Sequence, residues 1–213
     1  KYISVINTTN DTLSSYITSN VPNNLNKNTT VLDTSRGYLY YASFNSNNQP
    51  IIKAYDYVNQ RDSNTIINFP DPTKYRSIVY MMAINDSTNN PTIIGLANTN
   101  DGNGFGFHDG DNYDDRNDNR MFVIKNNAMF FEGAKLSNIP TNTVSDDGWV
   151  TFQAISSDGY ILSTYNTYVS GSYQIRYVLT KINNLTTISK NNTTNNLNNT
   201  TEISRDLEIG RAH

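Results

Sequence analysis

Short apolar runs with β-strand periodicity constrain the fold of this chain more than any other feature. From Ser35 onward, β-branched and aromatic residues alternate with polar ones, and each run is bounded by Asn, Asp, Gly or Pro. No convincing helical stretch separates the runs, which are RGYLYYASF, PIIKAYDYV, TIINF, YRSIVYMMAI, PTIIGLAN, GFGFHD, RMFVIK, AMFFEGAKL, GWVTFQAIS, GYILSTYNTYV, SYQIRYVLTKI and DLEIGR. Parallel strands need long crossovers, usually helices, so the pattern predicts about a dozen antiparallel strands in an all-β sandwich.

Two polar segments stand apart from this pattern. Residues 1–34 are rich in amides and hydroxyls, which indicates an extended lead-in with room for one edge strand. Residues 183–204 are low-complexity Asn and Thr, too polar to be core, and are interpreted as a long loop before the last strand. We therefore predict one sandwich domain over residues 35–213. Because the chain starts with neither Met nor a signal peptide, we expect it to belong to a longer protein.

The composition excludes several classes of function. The 213 residues are 36% hydrophobic, enough for one core, but only 16% charged, and 35 asparagines make the surface polar rather than ionic. A net charge of -3 provides no field that would attract nucleic acid or an anionic membrane surface. The absence of Cys excludes disulfides, thiolate zinc sites and a cysteine nucleophile.

Three motifs, in this order, resemble the laminin G-like modules of the concanavalin A-like lectin/glucanase superfamily. They are PTIIGLANTNDGNGFGFHDGD, GWVTFQAISSDGYILSTYN and LEIGRA, and the resemblance covers about residues 75 to 213. It implies a jelly roll of two curved antiparallel sheets with six or seven strands each. It also implies carbohydrate or protein binding, and in some members glycan hydrolysis.

An acidic segment, DGDNYDDRND, offers a calcium site. Hard cations need several oxygen ligands, and this segment supplies carboxylates and amides on a predicted loop. The candidate metal ligands are Asp109, Asp111, Asp114 and Asp118, with Asn112 as an amide ligand. The alternative is a hairpin tip whose aspartates form turns and pair with Arg116 and Arg120. No cofactor is predicted apart from this calcium ion.

A catalytic interpretation has less support from the sequence. His108 follows GFGF, but no nucleophile or orienting group can be placed beside it, so hydrogen bonding at a strand end is the default. Concanavalin-like glucanases carry two Glu in an E-x-D-x-x-E strand, and none of Glu132, Glu202 and Glu208 lies in that pattern. Pairs of aspartates remain open as an alternative.

Sugar binding needs aromatic rings to cover pyranose faces, with amides and carboxylates as partners for hydroxyls. Tyrosines near predicted turns and the polar residues of the acidic segment meet this requirement. The candidate ligand-binding residues are Asp109, Asp111, Asn112, Tyr113, Tyr165 and Tyr168. Trp149, which begins a strand, is assigned to the core.

These observations predict a non-catalytic module that recognises carbohydrate or another cell-surface ligand. It would belong to a larger extracellular or virion-surface protein, such as an adhesin or a bacteriophage tail fibre. Nucleic-acid binding and membrane insertion are not expected, whereas oligomerisation within a larger assembly is an open alternative. Two other functions stay open: a structural virion or fibre domain that binds no sugar, and a glycan hydrolase.

Overall fold

The computed structural model describes residues 3–7, 10, 12–17, 21–23, 25–84, 92–99, 119–135, 151–169 and 172–205. Within these ranges the chain forms fourteen strands and one 3₁₀ turn, Pro72–Lys74. The strands are β1 Ile3–Asn7, β2 Thr12–Ile17, β3 Thr30–Asp33, β4 Tyr38–Phe44, β5 Pro50–Asp56, β6 Arg61–Asn68, β7 Tyr75–Ile84, β8 Thr92–Thr99, β9 Asn119–Lys125, β10 Ala128–Ala134, β11 Thr151–Ile155, β12 Tyr160–Val169, β13 Ser172–Ile182 and β14 Thr200–Arg205. None of the described residues belongs to a helix long and apolar enough to cross a membrane.

Three four-stranded sheets form the body of the described chain. The first sheet is β3-β4-β5-β6, the middle sheet is β7-β8-β9-β10 and the third sheet is β11-β12-β13-β14, while β1 and β2 form a separate hairpin. Within each sheet, strands that are consecutive in the sequence pair antiparallel. The prediction of an all-β antiparallel sandwich is confirmed, and the sheets have four strands each where the resemblance implied six or seven.

The middle sheet is buried on both faces, so the sandwich has three layers rather than the two that the resemblance implied. In β8, Ile93 and Ala97 point into a first core shared with the first sheet. Ile94 and Leu96 point the opposite way, into a second core shared with the third sheet. The physical reason is the sequence of β8, TIIGLANT, which carries apolar residues on both faces. Burying both faces of such a strand costs little free energy.

The first and middle sheets stack with corresponding strands together. β3 lies against β7, and β6 lies against β10. The connection from β6 to β7 passes through the first core, where the Phe69 ring packs 4.6 Å from Tyr75 and 5.2 Å from Phe122 between centroids. The first sheet therefore continues into the middle sheet through a segment that helps to fill the interface between them.

Asparagine residues shape many of the turns. Six of them have positive φ among the described residues, a backbone region that Asn tolerates better than most residue types; they are Asn48, Asn64, Asn126, Asn127, Asn195 and Asn199. Asn126 and Asn127, with φ of 53° and 60°, form the two-residue turn between β9 and β10. Part of the high asparagine content thus serves the backbone rather than the surface.

The Asn/Thr-rich segment differs from its prediction in two respects. Ile188 and Leu197 are 1% exposed and belong to the second core, so the segment is not too polar to contribute to a core. Residues from Thr200 onward form β14, which shortens the loop to 183–199. The two apolar side chains anchor this loop, while the Asn184 and Asn191 side chains accept backbone N–H bonds within its turns.

The lead-in is also more structured than its composition predicted. It contains β1, β2 and β3, whereas one edge strand was expected. The first sheet begins at Thr30, so its first strand lies before the domain boundary that was predicted after residue 34. Short strands with few apolar residues gave too weak a pattern for the sequence to reveal them.

Candidate ligand-binding site along strand β10

Most residues predicted to bind a ligand or a metal lie outside the described ranges. They are Asp109, Asp111, Asn112, Tyr113, Asp114 and Asp118, as are His108 and Trp149. Tyr165 and Tyr168 belong to β12, where they pair with Arg176 and Tyr173 of β13. In the described part of the chain, no three His, Cys, Asp or Glu residues gather into a metal site. The calcium and loop-binding interpretations therefore stay predictions.

The described residues contain a different candidate site, which is centred on β10. This strand is one of the two edge strands of the middle sheet, and its register with β9 shifts between Met129 and Phe131 and again between Phe131 and Ala134. The second irregularity contains Glu132 and Gly133, whose φ is 71°. Bulges redirect side chains and are frequent beside functional sites.

Phe130 lies at the first irregularity and is 53% exposed. Lys125, at the end of β9, places its Nζ 4.5 Å from the ring centroid, within cation–π range. The same Nζ donates a 3.0 Å hydrogen bond to the carbonyl oxygen of Thr186 in the 183–199 loop. An aromatic ring is thus open to solvent beside a fixed cation and an amide-rich loop.

Glu132 lies two residues further along β10 and is half-buried. Burial raises the pKa of its carboxyl, and the positive charges of Lys74 and Lys190 counter only part of that effect. The negative charge of Asp71 raises the pKa further, whereas the nearby Tyr75 hydroxyl lowers it. The pKa of Glu132 is thus raised, whereas the pKa values of four aspartates are lowered: Asp33, Asp56, Asp71 and Asp158.

Tyr75 and Lys190 complete the polar part of the site. Burial, and next the charge of Glu132, raise the pKa of Tyr75, so its hydroxyl stays protonated and can donate a hydrogen bond. The Nζ of Lys190 donates a 2.6 Å hydrogen bond to the backbone carbonyl oxygen of Glu132. Burial lowers the pKa of Lys190, although the charge of Glu132 opposes this. We call Lys125, Phe130, Glu132, Lys190 and Tyr75 the β10 site.

Backbone hydrogen bonds hold the 183–199 loop against the end of β10. The Lys135 N–H donates to the carbonyl of Asn195 at 2.8 Å, and the Leu197 N–H donates to the carbonyl of Lys135 at 2.7 Å. These bonds cover part of an otherwise open strand edge. They also fix the position from which Lys190 reaches Glu132.

Arg120 is buried in the middle sheet close to Tyr75. The sequence left it as a partner for the aspartates of the acidic segment, which lie outside the described residues, so that pairing stays a prediction; Arg120 itself is 4% exposed within β9. Its positive charge lowers the pKa of Tyr75. It therefore belongs to the electrostatic surroundings of the β10 site.

No local motif could have revealed this site. Its residues come from the start of β7, the β9–β10 hairpin and the 183–199 loop, so Tyr75 and Lys190 are 115 positions apart. The one local signal was Gly133 inside an apolar strand pattern, because such a glycine indicates a bulge or a close backbone approach.

The arrangement offers two kinds of contact to a ligand. The Phe130 ring can cover an apolar face, and the half-buried Glu132 and Lys190 supply a carboxyl and an ammonium group on and beside the same strand. Tyr75, which is 2% exposed, acts on Glu132 from inside the first core and does not face a ligand. A polyhydroxylated ligand uses both kinds at once, because sugar rings have apolar faces and hydroxyl edges.

The comparisons with known proteins add no assignment to this geometry. No protein family, no curated protein and no solved structure matches this chain.

Proposed function

We propose that this chain is a non-catalytic recognition module that binds carbohydrate or another cell-surface ligand through the β10 site. The observation that carries the proposal is the exposed Phe130 ring, held beside Lys125 on the same strand as the half-buried Glu132. The expected setting is a larger extracellular or virion-surface protein, such as an adhesin or tail fibre. The weakly charged, amide-rich composition supports that setting.

The ligand expected from this geometry is neutral or weakly charged. The ammonium groups of Lys125 and Lys190 are already bound to the Thr186 and Glu132 carbonyl oxygens, so they orient hydroxyls rather than collect anions. The Glu132 carboxyl adds an acceptor, or a donor when it is protonated. This combination discriminates among sugars by the directions of their hydroxyl groups.

Glycan-array retention of the 213-residue chain tests the proposal. Phe130→Ala should weaken binding to the retained glycan about tenfold, because one aromatic contact contributes about 1 kcal/mol. Phe44→Ala is the matched control, since Phe44 is 47% exposed at the end of β4 and should not affect binding. Equal binding by the Phe130 variant and the wild type would refute the role of this site, and no retention of any glycan or host envelope would refute the function.

Opposite pKa shifts of Glu132 and Asp71, whose charge acts on Glu132, favour glycan hydrolysis as a second candidate. The pKa of Glu132 is raised, whereas a hydrogen bond from Thr73 and the charge of Lys74 lower the pKa of Asp71. Glycosidases use a protonated acid and an ionised carboxylate in this way. Release of reducing sugar by the wild type, abolished in both Glu132→Gln and Asp71→Asn, would replace the recognition proposal. Binding without release would eliminate the hydrolase.

A structural assembly domain is the other alternative. It predicts apolar side chains that lie on the surface outside the cores, and Leu32 and Ile66 are 52% and 53% exposed on the first sheet. Glycan binding that survives substitution of these residues would separate the two functions.

A further inference from the structure

The 183–199 loop is attached to the middle sheet differently in its two halves. Its second half makes backbone hydrogen bonds with the end of β10, through the N–H and the carbonyl of Lys135. Its first half contains a turn over residues 184–187, and there the contact is made by a side chain, because the Nζ of Lys125 donates a 3.0 Å bond to the Thr186 carbonyl. Leu185 of the same turn packs against the second core. Lys125 and Leu185 therefore hold the 184–187 turn beside the β9–β10 hairpin.

The Asn184 side chain organises this turn. Its Oδ1 accepts hydrogen bonds from the Thr186 N–H at 3.0 Å, the Thr186 hydroxyl at 2.7 Å and the Thr187 N–H at 3.4 Å. Asn184 is exposed, and none of the described residues accepts a hydrogen bond from its Nδ2. Because the three bonds to Oδ1 fix the orientation of the amide, Nδ2 is a preorganised donor that remains available to a ligand.

Lys125 brings this turn and the exposed Phe130 ring together. Its Nζ bonds to the Thr186 carbonyl and lies 4.5 Å from the centroid of the Phe130 ring, so the turn and the ring contact the same ammonium group. An aromatic ring and fixed polar groups are the two kinds of contact that carbohydrate sites combine. A saccharide that covers the ring and extends toward Lys125 therefore reaches the turn.

We propose that the 184–187 turn selects among the sugars that bind at the β10 site, with Nδ2 of Asn184 donating a hydrogen bond to a sugar oxygen. This inference rests on the proposed function. Hydroxyl oxygens and the acetamido carbonyls of N-acetylated sugars accept such a bond. The Phe130 ring provides affinity for any sugar with an apolar face, whereas a directional donor distinguishes one arrangement of oxygens from another.

Asn184→Asp tests the donor while preserving the turn, because a carboxylate oxygen accepts the same bonds and only the N–H groups are lost. On a glycan array, the glycan that the wild type retains best should bind this variant about tenfold more weakly, and the order of preference among glycans should change. Phe130→Ala should instead weaken all retained glycans alike. The matched control is Asn10→Asp in the turn of the separate β1–β2 hairpin, which should bind as the wild type does. Oδ1 of Asn10 accepts the same two kinds of bond, from the Thr12 N–H at 3.2 Å and the Thr12 hydroxyl at 2.6 Å.

The attachment of the turn has a test that needs no sugar. Lys125→Met keeps the aliphatic stem but removes the bond to Thr186, so the Thr186 and Thr187 amides should exchange hydrogen for deuterium about tenfold faster. The Leu197 amide, which donates to the Lys135 carbonyl, should keep its protection in this variant. Lys125→Arg, which keeps a cationic donor, should restore the protection of the turn.

Equal affinities and an unchanged order of preference in Asn184→Asp would overturn the inference. Exchange of the Thr186 and Thr187 amides that Lys125→Met leaves unchanged would also overturn it. If Phe130→Ala loses binding while Asn184→Asp keeps it, the proposed function stands and the selecting role of the turn is refuted. A wild type that no glycan on the array retains would overturn both.

Discussion

The Tyr40 hydroxyl donates a 2.6 Å hydrogen bond to Oδ1 of Asn127, joining a strand of the first sheet to the hairpin turn of the middle sheet. The Tyr40 side chain is fully buried, and burial raises its pKa to about 12, so the hydroxyl remains a donor at neutral pH. Nη2 of Arg36 donates to the same hydroxyl oxygen at 2.7 Å, and its Nε donates to Oδ2 of Asp33 at 2.7 Å. This network closes one end of the first core.

Tyr40→Phe should lower the free energy of unfolding by about 1 to 2 kcal/mol, because it removes the buried hydrogen bonds that the hydroxyl makes with Asn127 and Arg36 while keeping the ring. Urea denaturation followed by tryptophan fluorescence measures the change. Tyr38→Phe is the matched control. Tyr38 lies two residues earlier on β4, opposite Asp33 of β3, and no hydrogen bond to its hydroxyl is described. Equal losses in the two variants would contradict the role of the Tyr40 bond.

Gly95→Ala should destabilise the middle sheet by about 1 to 3 kcal/mol or more. Gly95 pairs with Phe122, whose ring lies across it, and a Cβ at Gly95 would meet Cζ of Phe122 at 2.0 Å. The test is a double-mutant cycle by thermal unfolding: Phe122→Leu alone should be destabilising, but it should relieve most of the cost of Gly95→Ala. Strictly additive effects would show that the two residues do not interact.

Glu132→Gln should remove a pH dependence from stability. The folded-state pKa of Glu132 is raised, so its contribution is fully present below the unfolded value near 4.5 and is lost as pH rises through the folded pKa. Relative to the glutamine variant, the wild type should therefore lose stability as the pH rises above 4.5. Unfolding at a series of pH values measures this difference, and a difference that stays constant with pH would refute the burial of the carboxyl.

Asp33→Asn should have the opposite pH signature. Burial alone would raise the pKa of Asp33, but hydrogen bonds from Ser35 and Arg36 and the charge of Arg36 lower it. Its contribution is therefore present above 3.8 and lost as pH falls through the folded pKa. At neutral pH the variant should be less stable by about 1 to 2 kcal/mol, and the gap should close in acid. The exposed Asp62→Asn serves as control and should follow the wild type.

The calcium prediction has its own test. Added Ca²⁺ should raise the melting temperature of the wild type, because an ion that binds only the folded state stabilises it. Asp111→Ala should abolish that increase. A melting temperature that Ca²⁺ does not change would leave the alternative, a hairpin loop whose aspartates form turns and pair with arginines.

Local periodicity was enough to predict most of the strands. The runs RMFVIK and AMFFEGAKL match β9 and β10 to within one or two residues. Side chains of a strand point alternately to the two faces of its sheet, so a half-buried strand can be recognised in the sequence. The Asn/Thr-rich segment was harder, since Ile188 and Leu197 are isolated among polar residues and only their tertiary contacts bury them. The β10 site could not be predicted, because Tyr75, Glu132 and Lys190 have no relationship in the linear sequence.

The sequence by itself determined that this chain is all-β and antiparallel, because alternating apolar residues and frequent turn residues leave no segment for crossover helices. It also determined where most strands lie and how their turns are made. Only the tertiary structure decided that the strands form three sheets and that Ile93 and Ile94 face different cores. It likewise decided that Glu132 is half-buried beside Tyr75 and Lys190. Strand alternation fixes which residues share a face, but what covers each face depends on contacts between distant parts of the chain.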